Sequence, residues 1–147
     1  MGNKKPPVVC LCGSTRFMEA FFAAGWQLTL LGQIVLSVGV CKHADADGAH
    51  GAEALGPRVA ANLDKLHLRK IDMADWVLVL NVQGYFGTST MREIDYATNS
   101  HKPVYFLFPD RERGDAPMTP ISINWDGVMA ATREAADLHN RQGKAKQ

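Results

Sequence analysis

No stretch of this sequence approaches the roughly 18 consecutive apolar residues of a membrane-spanning helix. The basic start, Met1 to Pro7, leads into only five apolar residues, too few for a signal-peptide core. Cysteine is scarce: Cys10, Cys12 and Cys41 are the three among 147 residues. An odd count without framework spacing excludes a disulfide scaffold and points to reduced thiols and a cytoplasmic setting. Charge of either sign is balanced, with 16 basic against 15 acidic residues and a formal net charge of +1. That balance removes the strongly basic overall signature of a nucleic-acid binder and the acidic, aromatic-poor profile of a disordered chain. The phosphate-binding signatures Gly-x4-Gly-Lys-Ser/Thr and Gly-x-Gly-x-x-Gly are both missing.

What is present is ordinary for one globular α/β domain. Apolar residues make up 46% of the chain, and at this length about two-thirds of the unfolded surface is buried on folding. The single domain spans 1–147, with its core over about 7–140. A short apolar run over 7–12, stopped by Gly13 and Ser14, reads as a buried strand. Phe17, Phe21, Ala24, Leu28 and Leu31 then mark one face of a helix over 15–31 that ends near Gly32. Residues 33–39 predict a second strand. A polar, glycine-rich loop follows over 40–57, long for a compact domain. Pro57 opens a helix to about residue 74, with Val59, Leu63, Leu66 and Ile71 expected to face inward. Residues 76–82 are apolar on both faces, as a central parallel strand should be. A turn-rich loop over 84–90, a helix over 89–99 and a strand over 104–108 come next. A connector over 109–120, a short edge strand near 121–123 and a helix over 126–140 complete the chain.

Repeated strand–helix alternation predicts a doubly wound, flavodoxin- or Rossmann-like parallel sheet of four to five strands, in the order 2-1-3-4-5. The ligand crevice of such a sheet lies outside the carboxyl ends of the first and third strands. Two loops belong there, 13–17 and 83–90.

Gly13, Ser14, Thr15, Arg16 and Phe17 sit between a strand and a helix. Backbone N–H groups at a helix start, with the guanidinium of Arg16 beside them, suit an anion such as phosphate. The plainer alternative is that Ser14 or Thr15 only caps the helix and Arg16 is solvated. In the second loop Ser89 and Thr90 offer a second anion site, and Glu93 follows one turn later. Thr90-x-x-Glu93 also fits a capping box, in which Glu93 merely closes its own helix. Cys10 and Cys12 would share one strand face. Zinc needs at least two further ligands, for which the sequence offers no spacing, so both thiols read as small buried hydrophobes. His43, Asp45, Asp47 and His50 match no zinc or calcium spacing. Asp75 reads as a turn residue, and Trp26, Trp76 and Trp125 as core or partner surface.

Taken together, residues 11–17 (LCGSTRF), 71–80 (IDMADWVLVL), 84–97 (GYFGTSTMREIDYA) and 102–104 (KPV) resemble the nucleoside 2-deoxyribosyltransferase superfamily. Within it they are most similar to the nucleoside 5′-monophosphate N-glycosidases, in particular the branch acting on CMP and hydroxymethyl-CMP. Residues 37–43 (SVGVCKH) and 66–72 (LHLRKID) support that branch, adding His43, His67 and Asp72 as substrate-binding candidates. The resemblance covers about residues 8–108. It implies a homodimer, a small-molecule nucleotide substrate, no cofactor or metal, and hydrolysis of the N-glycosidic bond. The family's nucleophile falls on Glu93. The phosphate-binding segment falls on Gly13, Ser14 and Arg16, with Ser89 as a second phosphate contact, and Phe17 is placed to pack on the base.

Two positions depart from the family pattern. Gly87 and His67 stand where deoxyribosyltransferases carry aspartates, one of which helps protonate the leaving base. The acid therefore has to come from elsewhere, and His43 or His67 is the expected donor. The same departures weaken the transferase reading. A nucleotide-sensing module without catalysis is the other alternative.

Overall fold

A computed structural model of the protein describes residues 4–39, 56–108 and Ala130. Expectations for 40–55 and, Ala130 apart, for the chain beyond 108 lie outside the described residues. They include His43, the His43–His50 cluster, Trp125, the short edge strand and the last helix.

Four parallel strands form one sheet: β1 (Val8–Cys12), β2 (Ile34–Leu36), β3 (Trp76–Val79) and β4 (Val104–Phe106). Their order is β2-β1-β3-β4, which is the expected doubly wound arrangement. Both central strands are buried on both faces, as their unbroken apolar character requires. Alternation along them divides the core. Val9, Leu11, Trp76, Leu78 and Leu80 pack against α1 (Met18–Leu30), through Phe21, Ala24 and Leu28. Val8, Cys10, Cys12, Val77 and Val79 face the opposite layer. There they meet α2 (Pro57–Met73) and α3 (Thr88–Asn99), through Ile71, Ile94 and Ala97. Among the described residues, no helix is long and apolar enough to cross a membrane.

The strands are shorter than the apolar runs that announce them. β3 stops at Val79 rather than at residue 82 because Asn81 takes over the pairing. The buried Asn81 amide donates to Phe108 O at 3.1 Å and accepts from Phe108 N at 2.9 Å, replacing ladder bonds with side-chain ones. The chain then turns through a short 3-10 helix, Val82–Gly84. β2 keeps only three residues of the expected 33–39. Gln33 instead turns its side chain to accept from Trp76 Nε1 at 3.1 Å. Trp76 is therefore core, whereas Trp26 is 63% exposed.

The inward face of α2 also differs from the expectation. Ile71 is buried as expected, but Val59, Leu63 and Leu66 are exposed and His67 is buried instead. An apolar stripe at helical spacing has to compete with the helix's other anchors. Here Lys70 Nζ donates to Ser37 O at 2.6 Å, and Arg69 donates to Tyr96 OH at 3.0 Å. Those bonds turn the helix so that His67 enters the sheet interface. Leu31, expected on the buried face of α1, is the exposed residue that caps that helix. Asp75 is the expected turn residue, accepting from Val8 N at 2.8 Å.

Gly13 holds the close approach of the two central strands at their carboxyl ends. Its φ is +156°, and a Cβ there would lie 3.1 Å from Leu80 O and 3.3 Å from Phe21 Cζ. Gly13→Ala should therefore lower stability by about 1–3 kcal/mol, read as a reduced urea midpoint at unchanged slope.

Candidate active site

The loops expected at the crevice do meet. Gly13 directly follows β1, and the segment Thr15–Phe17 forms a 3-10 turn that runs into α1. Ser14 Oγ accepts from Arg16 N at 3.3 Å, so Ser14 caps this turn. Arg16 is exposed, with its guanidinium 4.7 Å from the ring centroid of Tyr85 in the second loop. Phe17 meets the same ring edge-on at 6.1 Å between centroids. Tyr85 thus joins the loops, a role the sequence reading missed. Its only signal was an aromatic within the Gly84–Gly87 turn.

The second loop delivers Glu93 without a capping box. The N-cap of α3 is Gly87, which makes no side-chain cap, and Thr90 is already the third helical residue. Ser89 is exposed in the first turn. About one and a half turns of helix then carry Glu93 around to the layer shared with α2. Its side chain is only 13% exposed and stands against His67, with Glu93 Oε2 at 3.9 Å from His67 Nε2. That distance is too long for a hydrogen bond, and Oε2 is buried without a hydrogen-bond partner among the described residues. Burial accordingly pushes the Glu93 carboxyl up to about 7, against the opposing pull of the His67 charge.

Behind the carboxylate lie two thiols. Cys12 Sγ is 3.4 Å and Cys10 Sγ 3.7 Å from the same Nε2 of His67. Both cysteines are buried and reduced, as expected, but they are partners of a polar cluster rather than passive filler. The hydrogen bond from Cys12, with help from His67, brings the Cys10 thiol down to about 6 despite its burial. The bond with Cys10 and burial together raise the Cys12 thiol. Burial works against an imidazolium at His67, yet the bond to Cys10 and the charge of Glu93 outweigh it, and its pKa rises. The signal that could have found this cluster was the same-face pair Cys10/Cys12, read together with a histidine on the helix crossing that face.

The structure does not bring Asp72 to this edge. It lies at the end of α2 that leads into β3, accepting from Tyr96 OH at 2.6 Å and pairing with Arg69 Nε at 3.1 Å. Lys102 Nζ donates to the Asp72 and Ala74 carbonyls nearby. Asp72 is thereby part of a tie between α2 and α3. Gly87 keeps an ordinary negative φ of −88°, and a Cβ there would meet the Tyr85 hydroxyl at 3.8 Å, an ordinary contact distance.

No protein-family model matches the chain, and no curated protein matches it. Arg16, Phe17 and Tyr85 thus come together between the two loops, while the desolvated carboxylate of Glu93 stands in the α2 layer beside His67, which also meets Cys12 at the end of β1.

Proposed function

We propose that this protein hydrolyses the N-glycosidic bond of a nucleoside 5′-monophosphate, a CMP-like pyrimidine nucleotide in the first instance. The observation that carries the reading is Glu93: a buried carboxylate whose Oε2 has no hydrogen-bond partner among the described residues, on the helix that the second loop opens. An oxygen of Glu93 attacks C1′ as the C1′–N bond breaks and its electron pair leaves with the base. The oxocarbenium-like transition state gains from a negative charge that water does not screen. Water then cleaves the glycosyl ester, releasing (deoxy)ribose 5-phosphate. Arg16, with the N–H groups near Ser14 and Ser89, binds the phosphate far from C1′ and so fixes the sugar for attack. Phe17 and Tyr85 offer flat surfaces for the base. The family resemblance adds a homodimer with its sites near the subunit interface.

A panel of nucleoside monophosphates assayed for base release tests the reading. Release from none of them, with binding retained, would favour the nucleotide-sensing alternative. Formation of a new nucleoside on adding a second base would favour the transferase.

The nucleophile works only when ionised. With its carboxyl at about 7, kcat/KM should rise through neutral pH rather than near the ordinary carboxylate value of 4.5. The imidazole of His67 faces this carboxylate and the thiols, so its contribution is to hold Glu93 in its charged form. His67→Ala should then move the acidic limb of the pH profile further up, because the charge that lowers the Glu93 pKa is gone. If His67 protonates the leaving base instead, the same variant loses the alkaline limb and the acidic limb stays in place.

A further inference from the structure

We propose that Cys10, Cys12 and His67 form a binding site for a thiophilic d10 cation, zinc above all, with Glu93 as its fourth ligand. Their ligand atoms, one from each side chain, all lie within 4.8 Å of one another, and all three residues are buried. A tetrahedral zinc ion with ordinary Zn–S and Zn–N bonds holds a sulfur and a nitrogen about 3.6 Å apart. The two sulfur-to-Nε2 distances here are 3.4 and 3.7 Å. All three residues aim at one point although they come from two elements. β1 supplies the thiols at i and i+2 on one face, and α2 supplies the imidazole across from them.

A second and independent observation points to the same place. Glu93 Oε2, from α3, is buried without a hydrogen-bond partner among the described residues and stands 3.9 Å from Nε2. An orphaned carboxylate oxygen in a core is costly, and a cation bound beside it removes that cost. Two sulfurs, one nitrogen and one oxygen complete a tetrahedral set suited to zinc and poorly suited to magnesium or calcium, which demand oxygen. The partly exposed Glu93 side chain marks the way in. The geometry excludes a Cys–His–Glu nucleophilic triad, because both the thiols and the carboxylate face the same ring nitrogen, leaving Nδ1 outside the cluster. On binding, the two thiols release their protons to solvent and both sulfurs coordinate as thiolates.

The test uses the full chain, reduced and stripped with a chelator, then titrated with cobalt(II) and, separately, with zinc against a chromophoric chelator. The expected result is one equivalent of cobalt, with thiolate-to-metal charge transfer in the near ultraviolet and the intense visible bands of a tetrahedral ion. Cys10→Ser and Cys12→Ser should each weaken zinc by more than the roughly 10–100-fold that loss of an outer partner costs. Cys41→Ser should leave the spectrum unchanged. Glu93→Gln should keep the thiolate band and weaken zinc. Absence of the charge-transfer band in the wild-type chain overturns the proposal without recourse to any variant. So does a band that follows Cys41, or zinc affinity equal in wild type and the Cys10→Ser/Cys12→Ser double variant. None of these readouts depends on Glu93 being a nucleophile. Zinc inhibition of base release, reversed by chelator, is expected only if that reading also holds. A cobalt band in a protein that releases no base supports the metal site and counts against the hydrolase.

Discussion

Replacing Glu93 by glutamine should cut base release by about 10³-fold or more while making the folded protein more stable above pH 7. The loss of rate follows from the chemistry, since an amide cannot attack C1′ or hold its developing charge. The gain in stability follows from burial. A carboxyl whose pKa is raised to about 7, against an ordinary 4.5, costs about 3 kcal/mol to keep ionised in the fold. Below pH 4.5 the carboxyl is protonated in both folded and unfolded chains, and this cost is absent. It grows as pH rises to about 7 and is constant above that. Glutamine removes it but leaves a partly unsatisfied amide, so a gain of about 1–3 kcal/mol is expected above neutrality. Melting curves of both proteins across pH, in chelator, check this beside the activity assay. A glutamine variant that is less stable at pH 8 and keeps its turnover per folded molecule would return Glu93 to a structural role.

Arg16→Ala should erase the preference for a phosphorylated substrate. A charge-assisted hydrogen bond contributes about 1.5–3 kcal/mol, so kcat/KM on a nucleoside 5′-monophosphate should fall about 10–100-fold. On the unphosphorylated nucleoside it should barely change, because Arg16 is an exposed residue of the loop and not part of the buried cluster. Lysine at this position should restore part of the loss, as a point charge without the planar fork that lies over Tyr85. Equal losses on both substrates would show that Arg16 acts through Tyr85 and loop order instead of through phosphate.

Composition, periodicity and turn chemistry determined the architecture. The doubly apolar stretches at β1 and β3 fit central parallel strands, and the alternation around them made the order found in the sheet the natural choice. The two loops at the switch between β1 and β3 followed from that order. Only the tertiary structure decided which side of each helix faces the sheet. In α2 the stripe Val59, Leu63 and Leu66 satisfies helical spacing as well as any core face. Lys70 and Arg69, bonded to Ser37 and Tyr96, turned His67 inward instead. In α3 the string Thr90-x-x-Glu93 has the form of a cap. A helix start at Thr88, after Gly87, moved Glu93 past the capping position and into the interface. Local sequence records which residues can cap or face a core, but a rotation of about a quarter turn leaves its periodicity intact. Contacts between elements far apart in the chain set that rotation. They alone gathered Cys10, Cys12, His67 and Glu93, from a strand and two helices, around one ring nitrogen.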